Sequence, residues 1–213
     1  MSARKLALLG AESTGKTQLS HELAAHLRAQ GQRVAVVAEV LRAWCAREGR
    51  APRPEEQMPI AQEQERRVDA AAADHDIVIA DTTALMVAIY GAMLFEDGEL
   101  HLFALERQRG YDATLVTGLD LPWTPDGLQR EGPQAREAVD RLVRASLGRA
   151  GVNYHVVYGT GPSRLSGALD ALARVGVAGA DSGRTPVSGG PWVWNCEKCS
   201  DPDCEHRLFS RLK

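Results

Sequence analysis

The first 175 residues alternate between short, mainly apolar runs and longer segments with helical periodicity. Five runs have the apolar and β-branched composition of strands that are buried on both faces, and they cover residues 5–9, 33–37, 76–81, 113–117 and 154–158. After the first run, Leu19, Leu23 and Leu27 recur every fourth position, which is typical of an amphipathic helix. Strands separated by helices predict an α/β fold, in which five parallel strands form one sheet with helices on both faces.

Proline and glycine mark the predicted boundaries along the chain. The proline-rich segment 51–59 is expected to separate a helix over 39–48 from a second helix over 59–73, because proline interrupts helical hydrogen bonding. Five glycines and two prolines lie between residues 176 and 191, where no periodicity remains. The sequence therefore predicts a main domain over 1–175, a linker over 176–191 and a short tail over 192–213.

Composition narrows the classes of function. The 213 residues include 25 Lys and Arg against 28 Asp and Glu, so the formal net charge is -3 and nucleic acid is not an expected partner. No apolar stretch is long enough to span a bilayer, so no membrane contact is expected. Three of the four cysteines lie close together near residue 200, a spacing that suits a metal better than disulfides. A reducing, cytoplasmic location is the resulting expectation.

A glycine-rich phosphate-binding motif directly follows the first predicted strand. Gly10, Gly15, Lys16 and Thr17 match G-x-x-x-x-G-K-[ST], and a predicted helix begins immediately afterwards. The amides of such a loop bind phosphates, its lysine reaches the β- and γ-phosphate oxygens, and its hydroxyl binds Mg²⁺. We therefore expect ATP and Mg²⁺ as cofactors and Lys16 as a catalytic residue. The expected nucleotide-binding residues are Gly10, Glu12, Ser13, Thr14, Gly15, Lys16 and Thr17.

Two carboxylates follow predicted strands at the same edge of the sheet. Asp81 ends the third strand and is expected to bind Mg²⁺ together with Thr17, although Asp81 is also a favourable cap for a helix beginning at Thr82. Glu39 follows the second strand, where open α/β sheets bind ligands. Its carboxylate can accept the proton of an attacking hydroxyl or orient that hydroxyl, unless Glu39 is only a surface residue in the first turn of a helix. The choice of base between Glu39 and Asp81 stays open.

Residues 120–133 follow the fourth predicted strand and are too polar, and too rich in proline and glycine, to belong to the core. Such a segment can close over an active site and bring arginines to the transferred phosphoryl group. Arg130 and Arg136 are the candidate catalytic arginines. The alternative is a surface loop with exposed arginines.

Four segments of residues 4–175 resemble the ribosylnicotinamide kinase domain of NadR-type proteins and related AAA-type ATPases and kinases. They are GAESTGKT, AEVLRAW, IADTT and the spacing D-x-P-W-x-x-D-G-x-x-R. The resemblance implies a nucleoside-kinase-like P-loop fold that transfers the γ-phosphate of ATP to the ribose hydroxyl of nicotinamide riboside. It also implies that the riboside is bound by Glu39, Arg42, Asp120, Trp123 and Asp126. Trp123 can alternatively anchor the loop against the core.

The tail carries a candidate zinc site. Three thiols and one imidazole lie within eleven residues, in the order Cys196, Cys199, Cys204 and His206. This set can surround a structural Zn²⁺ tetrahedrally, whereas the alternative is a disordered tail with free cysteines. The tail is also the candidate contact for a protein partner or for a second copy of the chain. The leading hypothesis is thus a small-molecule kinase, and the alternative is a regulatory ATPase whose zinc tail binds a protein.

Overall fold

The computed structural model describes residues 2–93, 98–124 and 133–177, all within the compact unit Met1–Ala178. Within these ranges the strands are β1 Arg4–Leu9, β2 Val34–Val37, β3 Ile77–Asp81, β4 Ala113–Thr117 and β5 His155–Val157. The helices are α1 Lys16–Ala29, α2 Val40–Glu48, α3 Pro54–Ala72, α4 Ala84–Ala92, α5 Gly98–Gln108, α6 Pro133–Ala150 and α7 Gly161–Arg174. The predicted linker and tail, apart from residues 176 and 177, lie outside the described residues.

The five strands form one parallel sheet in the order β2-β3-β1-β4-β5. Leu8 of β1 pairs with Asp81 at the end of β3, and Leu9 pairs with Val116 of β4. The carboxyl ends of all five strands therefore lie along one edge, at which the loops after β1, β2, β3 and β4 meet. The predicted α/β fold with a five-stranded parallel sheet is confirmed.

The side chains of β1 alternate between two buried layers. Ala7 and Leu9 belong to a core formed with α3, α4, α5 and α6, whereas Leu6 and Leu8 belong to a second core formed with α1 and α7. Because both faces of the strand are covered, the apolar run has no polar alternation, as expected for a central parallel strand. The helices on both faces hold β1 rigidly, and the loop that follows β1 begins from this fixed point.

The predicted start of the helix over 59–73 is wrong, because α3 begins at Pro54 and contains Pro59. Proline at the first helical position costs no hydrogen bond, since that amide has no partner within the helix. The Glu56 carboxylate accepts a hydrogen bond from the Arg53 amide at 2.7 Å and also pairs with Arg50, which stabilises the helix start. These bonds to Arg50 and Arg53 lower the pKa of Glu56 to about 2. As a result α3 is 19 residues long, and its Gln64 side chain accepts a hydrogen bond from the amide of Val40, shortly after β2.

No helix among the described residues is both long and apolar enough to cross a bilayer.

Candidate nucleotide and acceptor site

The loop after β1 leaves the sheet at a position that only glycine can occupy without strain. Gly10 has a φ of 141°, and a Cβ atom placed on it would lie 2.2 Å from Oγ1 of Thr117 in β4. Gly15 ends the loop in the left-handed conformation, with a φ of 72°, immediately before α1. The two motif glycines therefore fix the entry and exit of the loop, and the N-terminus of α1 faces its interior.

Threonine hydroxyls hold the middle of the loop. Thr14 is fully buried, and its Oγ1 donates to the carbonyl of Ala11 at 2.7 Å and accepts from Oγ1 of Thr117, also at 2.7 Å. Ser13, with a φ of 52°, donates its hydroxyl to the carbonyl of Thr124 at 2.5 Å. The loop is thus attached to β4 and to the segment that follows β4.

Lys16 and Glu12 bring opposite charges into the loop. The ammonium of Lys16 donates to the carbonyls of Gly10 at 2.9 Å and Ala11 at 2.6 Å, so it lies over the loop where phosphates bind in this motif. Glu12 is 5% exposed, and no described residue donates to its buried Oε2 atom. The predicted contribution of Glu12 to nucleotide binding therefore falls to its backbone, because its carboxylate repels phosphates.

The structure brings the two predicted Mg²⁺ ligands together. The hydroxyl of Thr17 donates to Oδ2 of Asp81 at 2.5 Å, and Asp81 is 3% exposed. Its Oδ1 atom is buried without a hydrogen-bond partner among the described residues. Helix α4 is capped by the hydroxyl of Thr83 and not by Asp81, which leaves the Asp81 carboxylate to other ligands. A hydroxyl and an orphaned carboxylate oxygen are hard donors and fit Mg²⁺.

Glu39 is the N-cap residue of α2, but its side chain makes no capping hydrogen bond. The side chain of Gln64 in α3 accepts the hydrogen bond from the Val40 amide at 2.9 Å instead. The Glu39 side chain is only 9% exposed and pairs with Nε of Arg42 at 3.2 Å. The predicted acceptor residues Glu39 and Arg42 thus form an ion pair beside the sheet edge, and the alternative of a freely exposed surface glutamate does not hold.

Asp120 lies on the other side of β1. Its Oδ2 accepts a hydrogen bond from the amide of Gly159, after β5, at 2.6 Å, and its Oδ1 lies 3.8 Å from Nη1 of Arg164. Glu39 and Asp81 follow β2 and β3, whereas Asp120 follows β4 and contacts residues that follow β5. The structure therefore places Asp120 on the half of the sheet away from Glu39, and its predicted contact with a riboside stays a prediction.

The remaining predicted residues lie around the segment after β4. Trp123 is half-buried, and no described residue accepts from its buried Nε1. Arg136, in α6, is 6% exposed and donates to the carbonyl of Leu121 at 2.9 Å and to that of Leu119 at 3.5 Å. In this arrangement Arg136 supports the base of the segment, and its catalytic role stays a prediction. Asp126 and Arg130 lie outside the described residues.

The predicted zinc ligands Cys196, Cys199, Cys204 and His206 also lie outside the described residues. In the part of the chain that the structure describes, no group of three or more histidine, cysteine, aspartate or glutamate side chains is arranged to hold a metal ion. The zinc site stays a prediction from the sequence.

Two buried polar residues of the site were not identified as functional from the sequence. Gln64 occupies the apolar stripe of α3 between Ile60 and Val68, so the detectable signal was a polar side chain at a core position. Arg164 lies in the first turn of α7, where the helix dipole disfavours a cation, and yet it is 4% exposed. Both signals indicate a specific partner in the folded protein.

Together, the strand order and the loop after β1 define a P-loop protein with the fold of nucleoside and nucleotide kinases. Residues 5–164 match the AAA domain family (AAA_28), and the chain belongs to this family. The resemblance to NadR-type and AAA-type P-loop domains is confirmed at this level. No curated protein has a significantly similar sequence.

Several solved structures share the fold. NadR in complex with NAD and AMP-PNP has a TM-score of 0.64 and 17% identity, and NadR in complex with NR has a TM-score of 0.64 and 16% identity. Each alignment covers 81% of this chain but only 49% of NadR, so this chain matches about half of that protein. Thymidylate kinase from Ehrlichia chaffeensis has a TM-score of 0.55 at 13% identity, with 82% of this chain and 100% of the kinase covered. Deoxyadenosine kinase from M. mycoides has a TM-score of 0.56 at 12% identity, with 80% and 99% covered.

Proposed function

We propose that this protein is an ATP- and Mg²⁺-dependent kinase that transfers the γ-phosphoryl group of ATP to a hydroxyl of a nucleoside. The observation that carries the proposal is the row of acidic side chains at the carboxyl edge of the sheet. Glu39, Asp81 and Glu12 follow the adjacent strands β2, β3 and β1, and each is largely buried. A P-loop ATPase needs one such carboxylate for its metal, whereas Glu39 lies one strand further out, where an acceptor can bind.

The proposed reaction assigns a separate task to each group. The acceptor oxygen attacks the γ-phosphorus, the bond to the oxygen that bridges the β- and γ-phosphorus atoms breaks, ADP leaves, and the hydroxyl proton passes to a carboxylate. Glu39 is our candidate for that carboxylate, since we assign Asp81, together with Thr17, to the metal ion. The ammonium of Lys16 stabilises the negative charge on the transferred group. Mg²⁺ held by Thr17 and Asp81 would neutralise part of the phosphate charge.

Nicotinamide riboside is the proposed acceptor. Its pyridinium is positively charged, and the acidic groups at the edge of the sheet favour a cation over a phosphorylated, anionic acceptor. A structurally similar protein, NadR, has been solved in complex with NR, which supports the proposal. Trp123 would supply an aromatic face for the same ring.

The direct test combines the protein with Mg-ATP and a panel of nucleosides and nucleoside monophosphates that includes nicotinamide riboside. We expect ADP formation that depends on the acceptor, with one phosphorylated product for each ADP, detected by mass spectrometry. ADP formation equal to the rate without acceptor for every compound would contradict the proposal. A preference for monophosphates would refute the assignment of a nucleoside acceptor.

Lys16→Ala tests the site independently of the acceptor. Removal of a cation aimed at the transferred phosphate is expected to lower turnover roughly 10²- to 10³-fold. Lys5→Ala is the matched control, because Lys5 pairs with Asp69 at the amino end of β1, away from the loop. Equal activity of the two variants would show that the reaction takes place elsewhere.

ATP hydrolysis without an organic acceptor is the second candidate, and membership of the AAA domain family favours it. In that case ADP forms at the same rate with and without nucleosides, and inorganic phosphate is the other product. In a regulatory ATPase of this kind, the tail would bind a protein partner. Deletion of residues 185–213 should then abolish binding of the partner and leave ATP turnover intact, whereas binding that survives the deletion would refute this alternative.

A further inference from the structure

Arg164 connects three segments around the phosphate-binding loop. Its Nη2 donates to the carbonyl of Thr14 at 2.5 Å, and its Nη1 donates to the carbonyl of Gly159 at 3.0 Å. Its Nη1 also lies 3.8 Å from Oδ1 of Asp120, the only carboxylate paired with it among the described residues. The guanidinium is thus a buried cation that donates two hydrogen bonds to backbone carbonyls, one in the phosphate-binding loop and one after β5.

Burying this charge is costly. Desolvation lowers the pKa of Arg164, and the carboxylates of Asp120 and Glu22 only partly oppose that shift. Nε of Arg164 is buried and has no acceptor among the described residues. If Arg164 served only to attach α7 to the sheet, an apolar side chain of similar size would do so without this cost. We therefore look for an effect of the Arg164 charge on the phosphate-binding loop, which it contacts at Thr14.

Arg164 acts on the peptide unit between Thr14 and Gly15, because it donates to the Thr14 carbonyl. The described chain has no cis peptide bonds, so the carbonyl and amide of this unit point in opposite directions. The bond from Arg164 holds the Thr14 carbonyl on the outer side of the loop, which turns the amide of Gly15 toward the inner side, where phosphates bind. A charged donor on the carbonyl also polarises the peptide and strengthens its amide as a donor.

Other contacts hold the same unit on the remaining sides. The Thr14 hydroxyl is bonded to Ala11 and Thr117 at 2.7 Å each, and Leu121 would lie 3.0 Å from a Cβ atom on Gly15. These groups resist rotation of the Thr14–Gly15 peptide. Among the contacts described, only Arg164 bonds to the carbonyl oxygen of Thr14 itself.

We propose that Arg164 is a positioning residue for nucleotide binding, which orients and polarises the Thr14–Gly15 peptide so that the Gly15 amide binds a phosphate of the nucleotide. Arg164 acts through the loop and does not contact the nucleotide itself. The inference depends on nucleotide binding by the loop and is independent of the identity of the acceptor, so a failure of the proposed kinase reaction would leave it standing.

The experiment compares Arg164→Gln and Arg164→Lys by calorimetric titration with ATP, inorganic tripolyphosphate and adenosine. Tripolyphosphate has no base, so its binding reports on the loop alone. We expect Arg164→Gln to bind ATP and tripolyphosphate about tenfold more weakly, by the same factor, and to bind adenosine as the parent protein does. Arg164→Lys retains the charge and should recover part of the loss.

Arg28→Gln is the matched control. Arg28 donates from Nε at 3.1 Å and from Nη2 at 2.7 Å to the carbonyl of Val34, at the amino end of β2. This variant also loses bonds from an arginine to a carbonyl, so it should lower the thermal midpoint of unfolding without weakening polyphosphate binding. A loss of affinity in Arg28→Gln equal to that in Arg164→Gln would show that the effect is only structural and would overturn the proposal.

Two further results would also overturn it. Weaker binding of ATP with unchanged binding of tripolyphosphate would place the effect of Arg164 at the base, and unchanged binding of both would remove any role in the loop. If Arg164→Gln does not fold, Arg164→Lys decides the question, because the loss of the planar fork alone is expected to weaken tripolyphosphate binding about threefold. Parent-like binding by a folded Arg164→Lys would then refute the proposal.

Discussion

Replacement of Gly10 by alanine tests the argument that the phosphate-binding loop begins at a position reserved for glycine. Alanine at a φ of 141° is strained, at a cost of about 1–3 kcal/mol, and its Cβ would lie 2.2 Å from Oγ1 of Thr117. Relieving that overlap in a packed region costs about 1–3 kcal/mol more. We therefore expect Gly10→Ala to lower the free energy of unfolding by about 2–6 kcal/mol.

Urea unfolding followed by circular dichroism measures this loss, and Gly31→Ala is the control. Gly31 has a φ of 85°, but no described atom lies within 4 Å of the position that its Cβ would take. Its replacement carries backbone strain without overlap and should cost roughly 1–2 kcal/mol. Equal destabilisation of the two variants would refute the steric part of the argument.

A double variant separates overlap from strain. Thr117→Ala removes the Oγ1 atom, although the Thr117 carbonyl oxygen and amide nitrogen would still lie 3.1 and 3.3 Å from the new Cβ. We expect Gly10→Ala combined with Thr117→Ala to be about 1–2 kcal/mol more stable than the sum of the single effects predicts. Strict additivity would mean that the loop avoids Thr117 by moving as a whole.

The other predictions concern the metal, the acid stability of α3 and the tail. Asp81→Asn should raise the Mg²⁺ concentration that is needed for half-maximal ATP turnover and lower turnover by roughly 10²-fold, without weakening nucleotide binding in the absence of Mg²⁺. An unchanged Mg²⁺ titration would exclude Asp81 as a ligand. Because the pKa of Glu56 is lowered to about 2, its ion pair contributes stability above about pH 4.5 that is lost as the pH falls toward 2. Glu56→Gln should therefore lower the urea midpoint at pH 7, and its urea midpoint should fall less steeply between about pH 4.5 and 2 than that of the parent protein. Glu55→Gln, at the exposed neighbouring position, should have neither effect. Parallel pH profiles of Glu56→Gln and the parent protein would contradict this assignment. Elemental analysis of the untagged protein should find one zinc per chain, removable by a chelator, and a content near zero would refute the predicted tail site.

Periodicity and motif spacing were sufficient to predict the sheet and the loop. A strand buried on both faces has to be apolar throughout, and such runs are visible in the sequence without knowledge of what covers them. The contact between Thr17 and Asp81 followed from the same logic, since the carboxyl ends of parallel strands lie together. The start of α3 was missed because proline was treated as a helix breaker, although the first turn of a helix tolerates it.

The hydrogen-bond partners of Arg164 and Gln64 could not be predicted from the sequence, for a different reason. Arg164 bonds to Thr14 across 150 positions, and Gln64 bonds to Val40 across 24 positions. The local sequence pattern indicates only that a polar side chain lies on a buried helix face. It does not indicate which backbone carbonyl or amide forms the hydrogen bond with that side chain. Asp120 illustrates the same limit, because its position after β4 left open which side of β1 it would contact.

The strand order places the two parts of the proposed site on different strands. β1, at the centre, carries the loop, the strands on one side carry Glu39 and Asp81, and those on the other carry Asp120 and the turn before α7. If the proposed function is correct, substitutions around β2 and α2 should alter recognition of the acceptor without weakening the binding of the triphosphate. For the proposed kinase, the choice of small molecule could therefore change at one margin of the sheet while the central strand and its loop stay the same.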